Sequence, residues 1–282
     1  MQGQPTPTPW SLPHITLQGL TYGNPNGRPV LAIHGWLDNA ASFSRLAPHL
    51  NDLYIVAIDL PGHGYSDHRP LGSHYHLVDY VADIQALLDH LGWTHCQLLG
   101  HSLGAVIALL AAAGMPERIQ QLLLIDGLLP LTTPSTQVVE QLRQGLRQTK
   151  RAPSSSRGYS SWVHAVQQRM NAHYPVTADA AERLLRRNLQ LVDQRWTWRT
   201  DPRTRRPSLL RFTPEQAEAI LAAVECPIHA VFAEQGFAPK IRQAGLNAPQ
   251  LHITYLDGGH HLHLDSEAGA QAVAHIFNAA QG

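Results

Sequence analysis

Ser102 stands in Leu98-Leu99-Gly100-His101-Ser102-Leu103-Gly104, an apolar run that closes in a Gly-x-Ser-x-Gly pattern. A serine hydroxyl is a poor nucleophile until it is held clear of the backbone beside a base. A sharp turn from strand to helix does this, and flanking glycines let such a turn close without Cβ clashes. Cys96-Gln97-Leu98-Leu99 reads as a buried strand, and Leu103 to Ala113 reads as a buried helix. The helix N-terminus then lies under the hydroxyl, where it favours developing negative charge. The chemistry these residues suggest is covalent attack on an electrophilic carbon.

The elements that must position Ser102 alternate between strand and helix. Extended segments are expected at Ile15–Gln18 and Leu20–Gly23, and buried strands at Pro29–Ile33, Leu53–Ile58, Leu122–Ile125, Ile228–Ala233 and Leu251–Leu256. Helices are expected at Ser42–Leu50, Leu77–Leu91, Pro214–Val224 and from Ser266 onward. Alternation of this kind predicts an α/β fold, with a mostly parallel sheet and helices on both faces. Reactive groups in such sheets gather at the carboxyl ends of the strands. His34, Asp59, Ser102, Asp126, Glu234 and His260 all fall at those ends.

Four motifs in this order resemble the alpha/beta-hydrolase superfamily over nearly the whole chain: His34-Gly35-Trp36, Asp59-Leu60-Pro61-Gly62-His63-Gly64, the Ser102 turn and Gly258-Gly259-His260. His34-Gly35-Trp36-Leu37-Asp38-Asn39 and Trp198-Arg199-Thr200-Asp201-Pro202-Arg203 are most similar to its serine hydrolase-like branch. The resemblance implies an eight-stranded type of sheet with an inserted helical cap. It implies Ser102 as nucleophile and His260 as general base, with His261 and His263 as neighbouring rivals. Backbone amides of Leu103 and Trp36 would form the oxyanion hole. Many relatives carry the triad acid in a Gly-Glu-x-Asp-like turn, but this chain has Ala233-Glu234-Gln235-Gly236, with glycine at that position. Some haloalkane dehalogenases place the acid one strand earlier, which here is Asp126. Asp126 is therefore the expected acid and Glu234 the alternative. His34 is expected to brace its loop, and Asp59, His63 and Ser66 to act structurally.

The chain has 282 residues, and the change of character after Pro130 divides it. Residues 14–130 and 213–282 are expected to form the core, with 131–212 as a basic, mainly helical cap. That segment holds 15 Lys/Arg against 5 Asp/Glu, whereas the remainder holds 6 against 16. The bland expectation for this asymmetry is a basic surface docked on an acidic body. Recruitment of an anionic substrate and contact with anionic lipid are the alternatives. Ser154-Ser155-Ser156 reads as a break inside it. Residues 1–13 are expected to be a disordered tail with no signal-peptide pattern. The two cysteines, Cys96 and Cys226, read as buried free thiols in a reducing cytoplasm. No apolar stretch is long enough for stable membrane insertion. No His/Asp/Cys spacing suggests a metal, and no cofactor or nucleic-acid motif is seen.

Together these features predict a serine hydrolase that cleaves a small to medium carboxylic ester or thioester, with anionic substrates among the candidates, through an acyl-enzyme. A carbon–carbon bond hydrolase, or a receptor that keeps the triad with little turnover, are the alternatives. A carboxylate nucleophile, as dehalogenases and epoxide hydrolases need, is absent from position 102.

Overall fold

The computed structural model describes residues 5–149 and 158–280. Its elements run β1 (Thr6–Ser11), β2 (Thr16–Gly23), β3 (Arg28–Ile33), β4 (Leu53–Ile58), α1 (Leu77–His90), β5 (Cys96–His101), α2 (Leu103–Gly114) and β6 (Ile119–Ile125). Next come α3 (Val138–Thr149), α4 (Trp162–Met170), α5 (Ala178–Asn188), β7 (Leu189–Val192) and β8 (Arg195–Trp198). The chain finishes with α6 (Pro214–Ala222), β9 (Ile228–Gln235), α7 (Ala238–Ala244), β10 (Leu251–Gly259), α8 (Leu262–Asp265) and α9 (Glu267–Ala279).

Eight strands form one sheet in the order β1-β2-β4-β3-β5-β6-β9-β10. Only β2 runs against the others, pairing antiparallel with β1 and β4. The central strands are apolar because both sheet faces are covered. Alternate residues serve opposite cores. Leu31, Ile33, Leu98, Leu122 and Leu124 pack with α1 and α2 on one side. Val30, Ala32, Leu99, Leu123 and Ile125 pack with α9 on the other. A two-residue period is thus visible inside runs that look uniformly hydrophobic.

Three local expectations need correction. Residues 6–11 are not a disordered tail but the edge strand β1, in register with β2 from Thr6↔Thr21 to Ser11↔Thr16. Trp10 anchors it, buried in the core with Leu17. Pro7 and Pro9 are tolerated because residues two apart point their amide positions to the same side, which here is the unpaired edge. The helix expected at Ser42–Leu50 is two short 3-10 turns, Ala40–Phe43 and Ala47–His49, interrupted before Pro48. The two extended segments expected between Ile15 and Gly23 are one strand.

The segment between β6 and α6 builds a small core of its own, in which Ala165, Val166, Leu184, Leu185 and Leu189 pack with Leu264. It is not purely helical, since β7 and β8 form an antiparallel hairpin closed by Asp193 and Gln194, both at positive φ. Trp196 and Trp198 pack against that core, and Trp196 meets Trp162 edge-on at 4.9 Å. Ser154–Ser156 lie outside the described residues. Two of the segment's arginines reach buried carboxylates of the main body. Arg187 Nε donates to Asp59 at 2.8 Å, and Arg169 Nη2 donates to Asp38 at 3.3 Å. Two of the segment's positive charges are therefore paired with acid of the main body.

Two glycines set how closely α2 approaches the sheet. A Cβ on Gly104 would lie 1.9 Å from the Ile33 carbonyl oxygen, and one on Gly100 would lie 2.6 Å from the Ala105 amide nitrogen. Gly104→Ala is expected to destabilise the fold by about 3 kcal/mol or more, because backbone rather than a flexible side chain must yield. Gly114, at the other end of α2, has open space beside it. Gly114→Ala is expected to change stability by less than about 1 kcal/mol, in the stabilising direction. Urea melts of the two variants check the pair, and equal losses would contradict this account of the packing.

Candidate active site

Ser102 lies between β5 and α2 with φ 52° and ψ −113°, a conformation that L residues rarely adopt. Its neighbours make that conformation sustainable. The Ser102 amide donates to Ile125 O at 2.9 Å, and its carbonyl accepts from Ala105 N at 3.0 Å. Gly35 and Gly127 press in from either side. A Cβ on Gly35 would sit 3.2 Å from Ser102 Cβ, and one on Gly127 would sit 2.8 Å from Ser102 Cα. The turn is thus held by the chain that follows β3 and the chain that follows β6.

His260 follows β10 and is buried. Its Nδ1 lies 2.5 Å from Asp126 Oδ2. Asp126 follows β6 at φ 42°, a left-handed position that aspartate tolerates better than most residues. Its carboxylate also accepts from the amides of Ala233 and Phe237, both at 3.0 Å. Gly236 leaves the room this requires, because a Cβ there would lie 2.3 Å from Asp126 Oδ2. The glycine at the expected acid position and the aspartate one strand earlier are therefore one steric fact. Glu234 points elsewhere. Both of its oxygens are engaged by Arg242, at 2.5 and 2.6 Å, and that guanidinium holds its carboxyl below the usual range.

The loop after β3 is braced as its sequence suggests. His34 Nδ1 donates to Gly35 O at 2.7 Å, while Nε2 accepts from Leu60 N at 3.0 Å. Trp36 is half exposed, and its indole donates to Thr204 O at 3.0 Å, tying this loop to the segment between β6 and α6. Leu103 is the first residue of α2, directly after Ser102. Asp59 accepts from Ala40 N and Tyr65 N, both at 2.8 Å, and Ser66 Oγ donates to Asp59 O at 2.5 Å. His63 packs edge-on against His34 with ring centres 5.2 Å apart, at the same strand ends.

Behind Ser102 and His260 lies a buried polar cluster that sequence spacing does not reveal. His101 Nε2 donates to His260 O at 2.9 Å, which leaves Nδ1 as a lone pair 3.6 Å from Asp38 Oδ2. His261 Nε2 lies 3.0 Å from Asp38 Oδ2, and His263 Nε2 meets Ser42 Oγ at 3.1 Å. The two rivals for the base are thus engaged elsewhere, and neither is the partner of Asp126. Burial pushes the Asp38 carboxyl up, but His261 and Arg169 outweigh it and hold it well below the carboxylate range. No metal was expected from spacing, yet ligand-capable atoms of Asp38, His101 and His261 lie within 4.8 Å of one another. Arg169 occupies this ground: its Nη2 is 3.3 Å from Asp38 Oδ1 and 3.2 Å from His261 Nε2, so a guanidinium supplies the cation. Aromatic rings surround His260 as well. Tyr174 lies 4.2 Å away and Phe237 4.9 Å, centre to centre. Phe237 was legible only as an apolar residue next to Gly236, and Tyr174 carried no signal.

Residues 28–267 match the family model described as alpha/beta hydrolase fold. A serine hydrolase-like protein of Danio rerio is 29% identical over 96% of this chain and 86% of its own length. A serine hydrolase-like protein of Homo sapiens is 42% identical over 42% of this chain and 57% of its own length. Among solved structures, a hypothetical protein of Pseudomonas aeruginosa PAO1 superposes with a TM-score of 0.92 at 45% identity, covering 98% of this chain and 99% of that one. The thioesterase domain from the curacin biosynthetic pathway shares the fold, with a TM-score of 0.83 at 24% identity over 98% of this chain and 99% of that domain.

Four imidazoles at this end of the sheet are held neutral. Burial lowers His34 to about 4 and His63 and His263 to about 3, and burial with three neighbouring histidines keeps His101 well below its ordinary value. In the unfolded chain each would titrate near 6.5. Below that value the unfolded state binds more protons than the folded one, so stability must fall as pH drops from about 6.5 toward 4. Each group contributes up to about 1.4 kcal/mol per pH unit. Denaturant midpoints measured from pH 8 to pH 4 are expected to be level above 7 and to fall steeply below 6. A flat profile across that window would contradict the burial of neutral imidazoles.

Proposed function

We infer that this chain, which belongs to the alpha/beta hydrolase superfamily and to its serine hydrolase-like branch, cleaves a small to medium carboxylic ester or thioester through a covalent acyl-enzyme. The observation that carries this reading is the 2.5 Å contact between His260 Nδ1 and Asp126, at the strand ends that also hold Ser102 in its left-handed turn.

In this mechanism Asp126 fixes the imidazole with its proton on Nδ1, which leaves Nε2 as the base. His260 takes the Ser102 proton as Oγ attacks the acyl carbon. The imidazolium that forms is stabilised by the Asp126 carboxylate. The amides of Leu103 and Trp36 hold the oxyanion, helped by the N-terminus of α2. The imidazolium then protonates the departing alcohol or thiol. In the second half-reaction His260 activates water, which releases the acid and frees Ser102.

The segment 131–212 serves as the cap over this chemistry. The contact of Trp36 with Thr204 and that of Tyr174 with His260 support that role. The docking of Arg169 and Arg187 on Asp38 and Asp59 favours a structural use of its charge over recruitment of an anionic substrate or lipid. Cys96 and Cys226 are free thiols, and burial pushes them up to about 12 and about 11, which suits a reducing cytoplasm.

A p-nitrophenyl ester series on the wild type and Ser102→Ala tests the reading. The variant is expected to lose at least about 10³-fold in kcat, with short to medium acyl chains preferred by the wild type. Equal rates for the two proteins would sink it. The acid is tested separately. Asp126→Asn is expected to lower kcat by about 10³-fold or more, while Glu234→Gln stays within about twofold. The space shared by Asp126 and Gly236 allows a stricter check. The double variant Asp126→Gly with Gly236→Asp is expected to recover at least about tenfold over Asp126→Gly alone, since the carboxylate returns from the neighbouring strand. No recovery in a folded double variant would show that the two positions do not share one role.

A further inference from the structure

We propose that Tyr174, carried on the segment between β6 and α6, holds the His260 ring and stabilises its protonated form, so that this segment contributes to proton transfer as well as to enclosure. The inference rests on His260 being the general base.

A base in this position faces an electrostatic difficulty. His260 is 4% exposed, and the imidazolium formed during attack has little water around it. Asp126 compensates at the Nδ1 edge. The faces of the ring need a partner of another kind, and an aromatic π surface is one. Tyr174 lies closest of the rings, with centres 4.2 Å apart and planes 32° from parallel. Phe237 is at 4.9 Å and 45°, and His101 at 4.8 Å and 47°. His261 meets the ring at 90° with centres 5.1 Å apart. Burial and the Asp126 carboxylate raise the Tyr174 phenol above its ordinary value, so the ring stays neutral.

The placement of Tyr174 is built rather than incidental. Arg169, at the end of α4, donates from Nη1 to Tyr174 O at 2.9 Å. Its Nη2 reaches Asp38, which His261 also contacts. Three residues further on, Thr177 is fixed to the end of α8, with its amide donating to Asp265 Oδ1 at 2.9 Å and its hydroxyl to Asp265 O at 3.1 Å. The stretch carrying Tyr174 is thus pinned on both sides to the residues that surround the base. The charged and titratable groups facing His260 are Asp126 after β6, His101 from β5, His261 beside it and His263 from α8. Asp38 and Arg169 lie behind those histidines. Tyr174 acts on substrate through His260, so it is a positioning residue.

The test compares Tyr174→Phe and Tyr174→Leu by steady-state kinetics from pH 5 to 9 on a p-nitrophenyl ester. Phe retains the π face and is expected to stay within about twofold of wild type. Leu keeps bulk but removes the face, so the imidazolium formed during attack loses stabilisation. The expected result is a kcat about tenfold lower, a KM changed by less than about threefold, and the acid limb of kcat/KM moved to lower pH by about half a unit. Tyr174→Met serves the same purpose if the Leu variant does not fold. Wild-type kcat with an unmoved limb in the variant lacking the ring would overturn the proposal. Equal losses in Phe and Leu would overturn it too, by assigning the effect to the hydroxyl, as would a loss confined to KM. Full activity in Ser102→Ala would instead remove the reading on which it rests.

Discussion

A single buried hydrogen bond, between the Asp126 carboxylate and His260 Nδ1, is what the arrangement around Ser102 depends on. A carboxylate with no exposed surface is costly unless every lone pair is used. Here the amides of Ala233 and Phe237 take the acceptor sites that His260 leaves, and the absent side chain at Gly236 provides the room. The need to satisfy that charge ties the ends of β6, β9 and β10 into one unit. The parallel sheet brings the ends of β3 and β5 alongside, which is how Ser102 comes to stand within the same group.

The segment between β6 and α6 belongs to this electrostatic unit. Two of its arginines are committed to the main body, for Arg187 completes the shell of Asp59 and Arg169 that of Asp38. Each carboxylate lies in the main body at a strand end or in a loop that follows one. Removal of either guanidinium would strand a buried charge, so the two parts of the molecule are coupled through their least tolerant contacts.

Sequence reached some of these features and missed others for physical reasons. Strand-to-helix alternation and the Gly-x-Ser-x-Gly turn are local, and so the α/β class and the placement of Ser102 could be read directly. The glycine at position 236 was visible too, but not that its missing side chain is the space the Asp126 carboxylate fills. Edge strand β1 was hidden because Pro and Thr resemble a flexible tail, and its pairing with β2, from Thr6 to Ser11, is a contact that local composition does not record. Arg169 and Tyr174 carried no signal at all, and Asp38 entered only as one position of the motif that begins at His34. Asp38 and Arg169 meet across 131 residues, and no periodicity records an encounter between an insertion and a loop. The metal-like grouping of Asp38, His101 and His261 is of the same kind, since its members come from three segments far apart in the sequence.

Mass spectrometry after treatment with a fluorophosphonate tests the central claim most directly, because the probe reacts with a hydroxyl only where a base and an oxyanion hole act together. The account predicts one adduct per chain, located on the peptide containing Ser102 and formed far more slowly when Asp126 is replaced by asparagine. An unmodified Ser102, or a label that settles on another residue with the same efficiency, would contradict it.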